Sequence, residues 1–527
     1  MHTCSVARGV LGMALLSFWT AGSAAPRTVP PRTMAPAEID RLVERTMAAY
    51  PVPGIAVGVV KDGKLVYAKG FGLRAFDQSK RVDADTMFGI GSNTKEFTAA
   101  ALAILVDEGK LHWDDHVIDW LPEFRMHDAW VTREFTIRDL LTHRSGLGLG
   151  AGDLMFVTKT DFTRAEMIRA LRHLKPVSSF RTEYAYDNLL YAVAGEVVAA
   201  ASGKSWEAFI TERILAPLGM GDCAAAPALL TSANRANPHI PVNGKLQKVP
   251  LLEISVVNAA GSIVCSVNGM ARWMTTQLSE GAIPAPGTGR LYSAARAAEM
   301  WAPQTILPTG SPVQQMSRTH FAAYGLGWVL EDYQGYKRIS HNGGLPGVVT
   351  HVSLLPELGL GVVVLTNQQE PVAIAAIPRQ ILDAYIGAPP RDWLATMQEQ
   401  MNARTARLAA ASAKRAPPRA AQPVDPATFA AYVGRYNDAW RGDATVTQEG
   451  EHLVLKFSRT EGLAGPLEAI SPGLFIVRWN DRTLNADAYV RFTEDFEGKV
   501  TGLGMQSVSD ATDFSFDFTD LDFRRMP

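Results

Sequence analysis

Phe88-Gly89-Ile90-Gly91-Ser92-Asn93-Thr94-Lys95, followed by Glu96-Phe97-Thr98-Ala99-Ala100-Ala101-Leu102-Ala103-Ile104-Leu105, is the stretch on which the reading of this chain turns. Phe88–Gly91 reads as a turn and Glu96–Leu105 as a buried helix. Ser92 and Lys95 then stand one helical turn apart at the helix start, where residues i and i+3 are surface neighbours. The amine can reach the hydroxyl, and amine-assisted deprotonation turns a weak nucleophile into a useful one. Unpaired amides at a helix start also suit a developing oxyanion. A lone Ser-x-x-Lys occurs by chance about once in a chain of this size. An ordinary N-cap serine beside a solvated lysine is therefore the alternative until other residues join the pair.

The chain has 527 residues, enough for two or three domains with sizeable cores. A formal net charge of -2 gives no footprint for nucleic acid or an anionic membrane. At the N-terminus Arg8 precedes the apolar stretch Val10–Trp19 and the small residues of Ala21–Ala25. That order reads as a secretory signal peptide over residues 1–24, cleaved after Ala24, and the expected location is secreted or periplasmic. The apolar core is short for a membrane anchor, and no later run approaches a bilayer span, so no stable span is expected once the signal is gone. Of the three cysteines, Cys4 leaves with the signal. Cys223 and Cys265 stay open between a disulfide and two buried thiols, because geometry decides and sequence does not give it.

Residues 26–36 read as a Pro-rich flexible leader. Ala37–Ala49 has helical periodicity, Gly54–Val60 reads as a buried strand, and Lys61-Asp62-Gly63-Lys64 turns the chain into a returning strand over Leu65–Gly70. Residues 111–220 are mostly helices and loops. Strand character returns in Gly327–Leu330, Gly347–Val352 and Leu360–Leu365. The expectation is a sheet with strands from both ends of this region, a helical insertion between them, and a cleft where the halves meet. A helix over about 391–414 leads to the linker Ala416–Pro423. Beyond it, short alternating strands such as His452–Phe457 and Ala488–Phe492 predict a small antiparallel barrel or sandwich.

Four further features line up with Ser92 and Lys95. Thr136–Leu147 reads as a helix ending in a loop, Tyr184–Tyr191 contains Tyr186-Asp187-Asn188, Ala216–Met220 closes a helix, and His341-Asn342-Gly343-Gly344 precedes a strand. In this order and spacing the set resembles the serine β-lactamase-like family of penicillin-binding proteins, class C β-lactamases, D-aminopeptidases and related esterases. The match covers roughly residues 37–390. The resemblance implies an α/β (α+β) fold: a β-lactamase/transpeptidase-like domain with an antiparallel sheet flanked by helices and a helical subdomain, here with a C-terminal lipocalin-like barrel. The expected domains are 37–395 for the hydrolase, 396–424 for the helix end and linker, and 425–527 for the barrel.

The same resemblance implies Ser92 as the acylated nucleophile and Lys95 as its partner in proton transfer. Tyr186 would share or take over the base role and protonate the leaving group, provided nearby ammonium charge lowers its pKa. The choice of acylation base stays open between these two groups. Asn188 would hold Lys95 and the substrate carbonyl. His341-Asn342-Gly343 stands where many members carry Lys-Thr-Gly, and the N–H of Gly344 with that of Ser92 would form the oxyanion hole. Histidine is largely neutral near pH 7 and offers no steady counter-ion to a substrate carboxylate.

The function expected is therefore that of an exported serine hydrolase. It would be a peptidase or esterase acting on small peptides, D-amino-acid amides or acyl esters, with no metal or organic cofactor. The alternatives are a class C-like β-lactamase and a non-catalytic peptide- or peptidoglycan-binding protein of the same fold. The expected partner is a small-molecule or short-peptide substrate, and a homo-oligomer stays open. His112 and His116 have metal-like spacing without an evident third ligand. His143 reads as a turn residue, Ser145 lacks a neighbouring lysine, and Trp328 reads as core beside the cleft.

Overall fold

Strand β1 (Gly54–Lys61) has an apolar residue or glycine at every position but its last, and β8 (Leu360–Thr366) is buried along its whole length. Such unbroken runs belong to strands covered on both faces. The two lie side by side and antiparallel, with Val57 opposite Val364 and Val59 opposite Val362. The structure, a computed structural model, describes residues 30–253, 255–417 and 424–527. The expected signal peptide and linker residues 418–423 lie outside them.

Around this pair runs an eight-stranded, wholly antiparallel sheet. Its other strands are β2 (Lys64–Gly72), β3 (Thr305–Ile306), β4 (Ala322–Tyr324), β5 (Val329–Tyr333), β6 (Tyr336–Leu345) and β7 (Val348–Leu355). The order is β2-β1-β8-β7-β6-β5-β4-β3, so strands from the two ends of the region meet in the middle, as the sequence pattern predicts. Alternate residues of β1 enter different cores. Ile55, Val57 and Val59 pack with Ile374, Ile377 and Ile381 of a helix over Pro371–Ile386, α5 in the numbering below. Ala56 and Val60 face the opposite layer.

In chain order the helices that matter are α1 (Pro36–Ala49), α2 (Thr94–Asp107), α3 (Leu189–Ser202), α4 (Val267–Leu278), α5 and α6 (Trp393–Arg415). α1 is amphipathic, burying Ile39, Leu42, Val43 and Thr46 in one stripe. α2 is buried on every side from Thr94 to Leu105, as its Ala- and Leu-rich sequence requires. It packs on α3, which Gly203 closes in the left-handed conformation.

Two local expectations are corrected. Residues 30–35 are docked rather than loose: Arg32 N–H donates to the Ala384 carbonyl at 3.1 Å and Met34 is buried. Phe88–Gly89 is not a free turn but a short ladder with Val264–Cys265. Cys265 is disulfide-bonded to Cys223, which fastens that ladder from behind.

The C-terminal part is a closed eight-stranded up-and-down barrel: β9 (Gly434–Asp438), β10 (Gly442–Glu449), β11 (His452–Phe457), β12 (Ala464–Ser471), β13 (Leu474–Val477), β14 (Ala488–Glu494), β15 (Val500–Ser507) and β16 (Phe523–Arg525). Closure pairs β16 with β9 and leaves no open edge. The barrel is tied to the helical layer by Arg459, whose Nε lies 2.7 Å from Asp161 Oδ1 and Nη1 3.0 Å from Glu166 Oε1. Thr160 and Thr460 extend the contact as an antiparallel bridge.

Candidate active site

Ser92 sits in a single 3₁₀ turn, Gly91–Asn93, that runs into α2. The turn is held from below by Asn93. Its Nδ2 donates to Glu96 Oε1 at 2.7 Å and to the His341 carbonyl at 3.1 Å, and its Oδ1 accepts from Thr350 Oγ1 at 2.7 Å. Glu96 also accepts from Trp273 Nε1 at 2.6 Å. Burial pushes the Glu96 carboxyl up to about 8, so near neutrality it is mostly protonated.

The turn is pressed against β6. A Cβ on Gly91 would stand 2.6 Å from Gly344 N, and Gly91 has φ of +52°, so glycine is required on both grounds. A Cβ on Gly343 would run into the Ile90 carbonyl oxygen. The amide of Gly344 thus lies beside the turn carrying Ser92, while the other side of Gly344 is open space. His341-Asn342-Gly343-Gly344 precedes strand β7, as the sequence suggests, and is itself strand. It lies inside β6, with Asn342 opposite His351 and Gly344 opposite Val349. Two glycines depress strand propensity, and pairing with β7 overrides them.

Lys95 is fully buried and its amine makes three contacts: Ser92 Oγ at 3.0 Å, Asn188 Oδ1 at 2.7 Å and the Ala260 carbonyl at 2.9 Å. Two are obligate acceptors and consume two N–H groups. The third position on nitrogen faces the serine hydroxyl. Burial brings the ammonium down to about 7 against the opposing pull of Asp153 and Asp187. Asn188 turns its Nδ2 to Asp153 Oδ2 at 2.8 Å, which fixes the amide's orientation.

Tyr186 faces the Ser92 hydroxyl, and Lys95 Nζ lies 4.7 Å from its ring centroid. The expected lowering of its pKa is not what the site produces. Burial raises the phenol well above its usual value, aided by Tyr184, Tyr191 and Asp153. Its ring packs tilted against that of His143, ring centroids 4.2 Å apart. His143 does have a turn-like φ of +53° but is wholly buried, and its Nδ1 accepts from the Asp187 N–H at 3.1 Å.

His341 is buried between two partners. Its Nδ1 bonds the Asn342 carbonyl at 2.6 Å and must carry the proton, so Nε2 accepts from Tyr324 Oη at 2.9 Å. Burial and Lys95 bring it down to about 3, and it is neutral across the ordinary pH range. Trp328 is fully buried, as expected of core. Ser145 receives the Leu147 N–H, and His112 and His116 face Asp115 and Asp119.

These groups open on a cleft of about 700 Å³ lined by Ser92, Tyr186, Asn188, His341, Asn342 and Gly344, with largely apolar walls. Among its described lining residues there is no lysine or arginine. One wall comes from the barrel, through Leu484, Asp513, Phe514 and Phe516. His143, Asp153, Tyr324 and the barrel residues were not singled out as site residues by sequence, since each arrives through contacts between distant segments. Among the described residues no group of three or more His, Cys, Asp or Glu is placed to hold a metal ion.

A family described as Beta-lactamase matches residues 39–386, and one described as Domain of unknown function (DUF3471) matches 418–525. An unguisins hydrolase of Aspergillus campestris is 32% identical over 62% of this chain and 60% of its own length. A second unguisins hydrolase, from Aspergillus violaceofuscus, is matched over 65% of its length, so the chain spans under two thirds of these relatives. Penicillin-binding protein 4 of Amycolatopsis lactamdurans is 30% identical over 60% of this chain and 81% of its own. The octameric penicillin-binding protein homologue from Pyrococcus abyssi shares the fold, with TM-score 0.60 and 22% identity over 93% of this chain and 100% of its own. With one match running from α1 to the end of α5, across every strand of the sheet and the turn that carries Ser92, the chain belongs to the beta-lactamase family.

Proposed function

We propose that the protein is an exported serine hydrolase working through an acyl-enzyme on Ser92, a peptidase or esterase acting on small peptides, D-amino-acid amides or acyl esters. The observation that carries this reading is the Lys95 amine, 3.0 Å from Ser92 Oγ and brought by burial to about 7. In its neutral form it keeps two N–H groups on Asn188 and Ala260 and turns its lone pair to the hydroxyl. Ser92 Oγ attacks the substrate carbonyl as its proton passes to Lys95. The oxyanion develops toward the amides of Ser92 and Gly344. Collapse expels an amine or alcohol, which takes the proton through the Tyr186 phenol. Water then adds to the acyl-enzyme by the same path in reverse and restores Ser92. The raised pKa of Tyr186 favours a relay that stays protonated at rest, and Lys95 as the base.

The lining of the cleft supports the substrate class. With His341 neutral and no lysine or arginine at the described walls, a substrate carboxylate has no fixed counter-ion. Uncharged amides and esters suit such a cleft better than the carboxylate of a penicillin. A relative named as a hydrolase supports turnover over mere binding.

The test is intact mass of the protein after a fluorophosphonate probe, with the adduct mapped by digestion. A stoichiometric adduct on Ser92 is expected, and an amide, ester and β-lactam screen follows. Folded protein that takes up no label on Ser92 would overturn the reading.

A further inference from the structure

We infer that the barrel supplies a positioning residue to the hydrolase site: Ser515, which acts on Lys95 through Asp153 and Asn188. The inference rests on the acyl-enzyme reading of Ser92. Ser515 lies in the segment between β15 and β16. Its Oγ donates to Asp153 Oδ2 at 2.8 Å, across 362 residues of sequence. The same oxygen accepts from Asn188 Nδ2 at 2.8 Å, and Asn188 Oδ1 holds Lys95 Nζ at 2.7 Å. Oδ1 of Asp153 is buried and has no hydrogen-bond partner among the described residues, so both bonds to this carboxyl fall on one atom. One hydroxyl from the barrel is half of what holds Asp153.

Several contacts keep that hydroxyl in place. At the start of the segment Asp510 N–H donates to Ser412 Oγ at 2.8 Å, and Arg415 of α6 lies 2.5 Å from Asp510 Oδ1. Phe514 packs edge-on against Tyr186, ring centroids 5.8 Å apart, and rests on Gly150, where a Cβ would stand 2.6 Å from the Phe514 carbonyl oxygen. Asp513 Oδ1 accepts the Ser515 N–H at 3.0 Å and shapes the turn. The barrel therefore meets the reactive amine by a directed chain of hydrogen bonds as well as by covering the cleft.

The chain has an electrostatic sense. The groups facing Lys95 are Asp153, Asp187, Tyr186, Tyr191, His143 and His341. Of these, Asp153 and Asp187 favour the ammonium. Burial raises Asp153 well above the usual carboxylate range, and donation from Ser515 and Asn188 opposes that rise. Losing the Ser515 hydroxyl favours neutral Asp153, takes negative charge from beside Lys95, and eases loss of the lysine's proton. It also frees Asn188 to drift, and small misplacements of a reacting group are costly.

The test compares full-length wild type, Ser515→Ala and Ser515→Thr by the rate of fluorophosphonate labelling at Ser92 against pH. Ser515→Ala should move the midpoint of the acid limb down by about half a pH unit or more and lower the plateau about three- to tenfold. Ser515→Thr keeps the hydroxyl and should stay within about twofold of wild type, with its midpoint unmoved. A lower plateau with an unmoved midpoint, or the same loss in both variants, would indicate packing alone and overturn the inference. An Ala variant indistinguishable from wild type would overturn it while leaving the acyl-enzyme reading intact. No labelling of folded wild type would bring down that reading, and this inference with it.

Discussion

The amine at the centre of the site makes a quantitative demand on pH. Lys95 is fully buried, and its pKa falls from an ordinary 10.5 to about 7. That is an energy difference of about 5 kcal/mol against the charged form. Since the folded-state value is depressed, the base is neutral above about 7 and protonated below it. Its neutral fraction should then be about one tenth at pH 6 and about nine tenths at pH 8. Labelling of Ser92 by a neutral fluorophosphonate should rise about tenfold between those values and level off above pH 8. A solvated lysine would be below about one per cent neutral at pH 8 and still climbing. His341, at about 3, adds nothing to this window, whereas Asp187, raised to about 7, titrates within it and broadens the curve. Lys95→Arg keeps the charge and has no accessible neutral form, so labelling should fall by about 10² to 10⁴ at every pH. The assay is the pseudo-first-order rate of adduct formation by intact mass from pH 5 to 10 on protein shown to be folded. A flat profile, a midpoint above about 9, or near-wild-type labelling of the arginine variant would refute the assignment of Lys95 as base.

Other outcomes follow from the same geometry. Gly343→Ala forces a methyl into the Ile90 carbonyl and should cost about 1–3 kcal/mol in urea unfolding together with most of the labelling rate; a neutral effect would contradict the close packing of β6 on the nucleophile turn. His341→Lys places a cation in a cleft whose described lining residues include no lysine or arginine, so hydrolysis of penicillins should improve relative to a neutral ester, and an unchanged ratio would count against the counter-ion argument. The Cys223–Cys265 bond spans 42 residues, so Cys223→Ala with Cys265→Ala should lower stability by about 2–4 kcal/mol in chemical unfolding; a difference within error would show that the bond does not brace this region.

What sequence makes legible here is what lies close along the chain. Ser92 and Lys95 meet because helical geometry puts i beside i+3, and Asn188 reaches Lys95 as its motif implies. The hairpin of β1 and β2 announces itself by a Gly-containing turn between apolar runs. The misses share one cause, since side-chain periodicity is silent on which distant segments meet. His143 reads as a turn residue and has a turn residue's φ, yet four tyrosines and the Asp187 amide enclose it. Tyr186 is expected to be acidified by the neighbouring ammonium, whereas burial outweighs that charge. Ser515 carries no signal at all: a serine in a polar loop, important only for where the barrel docks.

The pairing of β1 with β8 also bears on how the chain is made. Ile55 is opposite Thr366, so β1 leaves the ribosome about 300 residues ahead of its second neighbour. At about 5–20 residues per second, that is an interval of roughly 15–60 s in which an apolar strand has only β2 beside it. During translation the hydrolase sheet cannot close from its N-terminal side. A chain stopped anywhere short of β8 carries an unsatisfied strand edge ready to pair with another nascent chain.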